Sequence, residues 1–134
     1  MNIGILKVFP SVSSSSEGVL SEFVSCLSKK GHQVTLIDGM SKEEQHLTSF
    51  EYLIIATFPE NLFGGRISER VHECLSQGGH ISGKKGCALI LKKRFSLNKA
   101  CKALMSIMEK EGMILDYSNI LDSVEKAQTI SSLF

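Results

Sequence analysis

Five short apolar runs separated by stretches with helical periodicity constrain this chain more than any other feature. The runs are Ile3–Phe9, Gln33–Asp38, Tyr52–Thr57, Cys87–Leu91 and Met113–Tyr117. They are rich in isoleucine, leucine and valine rather than alternating apolar with polar, as strands covered on both faces are. Between and after them the apolar residues recur at helical spacing. Val19, Leu20, Phe23, Val24 and Leu27 mark a helix over about residues 15 to 30, with Lys29 and Lys30 in its last turn and Gly31 behind it. Ile67, Val71, Cys74 and Leu75 form the buried face of a second helix, closed by Gly78 and Gly79. Leu97, Ala100, Cys101, Leu104, Met105 and Met108 mark a third that ends before Gly112, and Val124, Ala127 and Ile130 mark a terminal one. Ser41 with Glu44 three residues on has the form of a capping box, so a short helix is expected there as well. Strand and helix alternating in this way specify an α/β class with a parallel sheet between two helical layers.

A chain of 134 residues is enough for one domain with a substantial core and too short for two, so a single domain over residues 1–134 is expected. A hydrophobic share of 43% excludes an intrinsically disordered chain. The formal net charge of +1 leaves no overall excess with which to bind polyanions, so nucleic acid is not an expected partner. No apolar run approaches the roughly 18 residues that cross a bilayer, and Met1-Asn2-Ile3-Gly4-Ile5-Leu6 has no basic leader region, so no membrane association and a cytoplasmic location are expected. Cys26, Cys74, Cys87 and Cys101 are widely spaced and form no C-x-x-C pair. They read as reduced packing residues, and no metal site is expected.

In such a sheet, ligands collect at the carboxyl ends of the strands, where the strand order reverses. Ser11-Val12-Ser13-Ser14-Ser15-Ser16-Glu17-Gly18 leaves the first strand and opens the first helix. Hydroxyl donors and free backbone N–H groups at the positive end of a helix make a phosphate cradle. A plain helix cap, with Ser14 and Glu17 as a capping box, would use one of these serines and leave the rest unexplained.

With these residues in place the chain resembles the short-chain flavodoxins over essentially its whole length. Ser11, Ser13 and Ser16 fall on the hydroxyl positions of that family's S-x-T-G-N-T phosphate loop without a gap, while Ser14 and Ser15 stand at its glycine and asparagine. The resemblance implies a three-layer flavodoxin-like sandwich with strand order 2-1-3-4-5 and non-covalent binding of FMN. On it, Ser11, Ser13, Ser14, Ser15 and Ser16 would hold the phosphate. The segment after the third strand, Thr57, Phe58, Pro59, Leu62, Phe63 and Gly64, would border the flavin ring, Phe63 or Leu62 packing on it. The segment after the fourth strand, Lys92, Lys93, Arg94 and Phe95, would lie at the ring's edge. It is short and basic where flavodoxins carry a glycine- and aromatic-rich loop, and it reads either as a solvated surface or as an attractor for an anionic ligand.

The implied function is electron transfer, as a carrier or as a small FMN-dependent oxidoreductase, with a redox partner protein or a small-molecule electron acceptor, in a monomer or homodimer. The alternative is a flavodoxin-fold binding or assembly module that has lost FMN. No catalytic residue is assigned. His32, His46, His72 and His80 converge on none of the three loops. The phosphoacceptor aspartate of receiver domains and the cysteine of sugar-phosphotransferase components have no counterpart at Thr57-Phe58 and Pro10-Ser11.

Overall fold

The computed structural model describes residues 1–9, 14–41, 46–58, 66–91 and 97–134, with residues 14–16 as helical backbone. Its elements are β1 (Asn2–Val8), α1 (Ser14–Lys29), β2 (Gln33–Asp38), β3 (Tyr52–Thr57), α2 (Glu69–Gln77), β4 (Lys85–Leu91), α3 (Leu97–Lys110), β5 (Ile114–Leu121) and α4 (Val124–Ser131). All four strand pairings are parallel, and the order is β2-β1-β3-β4-β5. This is the α/β class and the topology the sequence implies.

The strand sequences explain the two helical layers directly. Successive residues of a strand point to opposite faces, and here both sets are apolar. Ile3, Ile5, Tyr52, Ile54, Ala56, Cys87 and Leu89 pack with Leu20, Phe23 and Leu27 of α1 and Ala127 and Ile130 of α4. Leu6, Val8, Leu53, Ile55, Ala88 and Ile90 face the other way, onto Val71 and Leu75 of α2 and Ala100, Leu104 and Met108 of α3. All six residues of β3 are buried, whereas the edge strand β2 has only exposed and half-buried positions.

Three details differ from the sequence reading. Ile67 is buried as expected but lies ahead of α2, because Ser68 caps that helix by accepting from the Arg70 N–H. β4 starts two residues earlier, at Lys85, than its apolar run. β5 runs four residues past Tyr117, to Leu121. Residues 42–45 of the expected capping-box helix lie outside the described residues.

β5 also carries a bulge. Gly86 pairs with Leu115 and Cys87 with Tyr117, which leaves Asp116 without a partner across the ladder. A Cβ on Gly86 would fall 2.2 Å from the carbonyl oxygen of Leu53, so the strand passes this point only as glycine. The carboxylate of Asp116 accepts a hydrogen bond from the hydroxyl of buried Tyr52. At the end of α1, Gly31 takes φ +93°, the left-handed conformation that stops a helix.

Candidate functional site

The strand order reverses at β1. From it the chain crosses through α1 to β2 on one side, while β3 lies on the other side and leads to β4 and β5. In sheets of this kind ligands bind outside the carboxyl ends of the strands at such a reversal, which here lies at the ends of β1 and β3, Val8 and Thr57.

Val8 and Thr57 are the last paired residues of that seam. The Thr57 hydroxyl donates to the Val8 carbonyl oxygen at 2.6 Å, and the side chain is 1% exposed. Its hydroxyl proton is thus committed to clamping the two strands at their carboxyl ends. One residue further on, the rings of Phe9 and Phe58 meet edge to face with centroids 5.2 Å apart. Phe9 is buried and Phe58 half-buried, so an aromatic pair forms a wall on the α1 side of the seam.

Lys7 is the feature that motif reading missed. It shares the α1 face of β1 with Ile3, Ile5 and Phe9, where every other described side chain is apolar. Its ammonium lies 5.8 Å from the Phe9 ring centroid and 3.9 Å from Glu17 Oε2 in the first turn of α1. A cation therefore stands under the first turn of α1, whose backbone includes Ser14, Ser15 and Ser16. The signal was present in the sequence as one lysine inside an otherwise apolar strand.

α1 begins at Ser14, so the backbone of Ser14, Ser15 and Ser16 forms a first turn whose N–H groups have no acceptor within the helix. Those groups and the helix dipole favour an anion at this point. The opposite flank is held rigid from α2. Arg70 donates from Nε to the Gly39 carbonyl at 2.6 Å and from a terminal nitrogen to the Ser41 carbonyl at 2.8 Å, and Cys74 Sγ donates to Gly39 as well. These bonds fix the turn that follows β2, next to the end of β1.

Of the expected site residues, Thr57 and Phe58 lie at the carboxyl end of β3, and the backbone of Ser14, Ser15 and Ser16 forms the start of α1. Ser11, Ser13, Pro59, Leu62, Phe63, Gly64, Lys92, Lys93, Arg94 and Phe95 lie outside the described residues.

The four cysteines are free thiols. Burial pushes the Cys74, Cys87 and Cys101 thiols up, which keeps them protonated and poor nucleophiles. Among the described residues no group of three or more His, Cys, Asp or Glu side chains is arranged to hold a metal ion. No described helix is long and apolar enough to cross a membrane.

No family model and no curated protein matches the chain. Solved structures do. Oxidised flavodoxin 1 from Bacillus cereus superposes with a TM-score of 0.75 at 14% identity, covering 98% of this chain and 95% of that one. The flavodoxin of Streptococcus pneumoniae TIGR4 gives 0.74 at 12% identity, over 98% and 96%. A Fusobacterium nucleatum flavodoxin bound to flavin mononucleotide gives 0.71 at 15% identity, over 98% and 95%. Coverage is near-complete in both directions, and the chain is a divergent bearer of the flavodoxin-like fold.

Proposed function

We propose that the protein is a single-domain FMN-binding protein of electron transfer, with the cofactor held non-covalently across the carboxyl ends of β1 and β3. The observation that carries this reading is the seam itself. The strand-order reversal is flanked by a helix N-terminus, an aromatic pair and a strand lysine, in a fold shared with an FMN-bound flavodoxin.

The donor set fits the group. FMN joins a phosphate to a planar, largely apolar ring, and the carboxyl end of the seam offers anion-binding character at the start of α1 and apolar surface at Phe9 and Phe58. Ser11, Ser13, Ser14, Ser15 and Ser16 hold the phosphate by hydroxyl and backbone donors, and Lys7 supplies a countercharge from below. Thr57 keeps the seam closed. Phe58, Pro59, Leu62, Phe63 and Gly64 border the ring and exclude water from it, and Lys92, Lys93, Arg94 and Phe95 stand at its edge. Bound FMN supplies one- or two-electron transfer, while the protein sets orientation and electrostatics. Electrons pass to a redox partner protein or to a small-molecule acceptor, which makes the protein a carrier or a small flavin-dependent reductase.

A second reading, a binding or assembly module that has lost FMN, has one feature in its favour. The connection from β4 to α3 is only five residues long, Lys92 to Ser96, and three of them are cations. The absorbance of the purified protein separates the two readings. Flavin bands, or bands restored by added FMN, support the first. A colourless protein that does not take up FMN supports the second.

A further inference from the structure

Acidic and basic residues are unevenly placed along this chain. From Gly86 to Met108 there is no aspartate or glutamate, while Lys92, Lys93, Arg94, Lys99 and Lys102 all occur there. This stretch covers β4, its connection and most of α3.

The described polar residues at the start of α3 are exposed. Asn98, Lys99 and Lys102 lie on the first turns of α3 and face solvent, and among the described residues neither lysine meets a carboxylate. α1, α2 and α4 each carry a glutamate in the first turn, Glu17, Glu69 and Glu125, whereas α3 has none. A cation at that position opposes the helix dipole and weakens the helix, so folding does not account for it.

Alongside these lysines runs a cleft of about 480 Å³ between α3 and the edge strand β5. Its lining combines apolar Met105 and Ile120 with polar Asn98 and Ser118, and Lys102 borders it. Such a cleft accepts an anchoring side chain from another polypeptide, while the surrounding cations draw in carboxylates. It lies at the amino end of α3 and the carboxyl half of β5, on the same edge of the sheet as the Val8–Thr57 seam.

We infer that the α3–β5 flank is a docking surface for a partner protein that presents an acidic face. That this partner exchanges electrons rests on the FMN reading above, whereas the sign of the partner's charge does not.

The test is a backbone amide NMR titration of the full chain with poly-L-glutamate of about 20 residues at low salt, run with and without FMN. Saturable shifts at residues 98–105 and 118–120 are expected. Lys99→Glu/Lys102→Glu should weaken binding about tenfold or more, the milder Lys99→Gln/Lys102→Gln should weaken it less, and Lys29→Gln on the last turn of α1 should leave it unchanged. A chain that takes up no FMN yet gives this pattern keeps the surface and loses only the redox role. Absence of saturable binding, shifts centred elsewhere, or equal affinity for the charge-reversed variant would overturn the proposal. So would duplex DNA that still binds at about 150 mM salt when poly-L-glutamate has been released, since that assigns the flank to nucleic acid.

Discussion

α1 and α3 both begin at the carboxyl edge of the sheet, and they begin differently. α1 follows an uncharged run of serines, has Glu17 in its first turn and has Lys7 beneath it. α3 follows Lys92, Lys93 and Arg94 and carries Lys99 in its first turn. The first arrangement suits a small anion held by directed hydrogen bonds, a short-range interaction that salt barely alters. The second acts through its field, which reaches about 8 to 10 Å and is screened at physiological ionic strength. On the proposed reading, one edge of one sheet offers a site for chemical specificity and a flank for attraction.

The largest effect should come from the hydroxyls of the first region. A hydrogen bond contributes about 0.5 to 1.5 kcal/mol, and up to about 3 when one partner is charged. Ser13→Ala/Ser16→Ala should therefore weaken FMN binding by about 2 to 4 kcal/mol, with the far-ultraviolet circular dichroism unchanged. Unchanged affinity would reduce the serine run to a helix cap and erase the contrast with α3.

The basic connection should act on the potential instead. At an effective dielectric of about 20, a unit charge at roughly 8 Å is worth about 2 kcal/mol, or on the order of 90 mV for one electron, before salt reduces it. Positive charge favours the reduced, more anionic flavin, so Lys92→Gln/Lys93→Gln/Arg94→Gln should lower the potential of bound FMN by an amount of this order. A potential that does not move in the triple variant would show that these cations serve only the outer surface.

The seam beneath both regions is expected to matter for stability. Thr57→Val removes the bond to the Val8 carbonyl and leaves that oxygen buried without its donor, at a cost of about 1 to 3 kcal/mol in denaturant unfolding. Lys7→Met should weaken FMN by about 1 kcal/mol and leave riboflavin, which lacks the phosphate, unaffected. Equal losses for both ligands would place Lys7 at the ring rather than at the phosphate. The smallest change expected is a gain. Lys99→Glu gives α3 the first-turn carboxylate of the other helices and should raise stability by about 0.3 to 1 kcal/mol while weakening attraction for acidic partners.

The fold was legible in the sequence because burial on two faces forces a strand to be apolar at every position, and Tyr52–Thr57 and Cys87–Leu91 show this without ambiguity. β5 was read short because, past Tyr117, Ser118 and Asn119 are polar, as an edge strand tolerates, and its bulge at Asp116 breaks the alternation. Ile67 was placed on α2 because a buried residue just before a cap keeps helical spacing with Val71 and Leu75. At the site, hydroxyl and aromatic residue types pointed to the loops. The clamp at Thr57, the Phe9–Phe58 pair and the Lys7–Glu17 contact depend on groups meeting between separate elements, which local pattern does not encode.

The central claim is that the β1–β3 seam binds FMN through its phosphate as well as its ring. The direct test is a pair of binding isotherms on flavin-free protein, one with FMN and one with riboflavin. Saturable one-to-one binding of FMN, at least about tenfold tighter than riboflavin, is the predicted result, corresponding to about 1.4 kcal/mol from the phosphate. No binding of FMN, or equal affinity for the two, would contradict it.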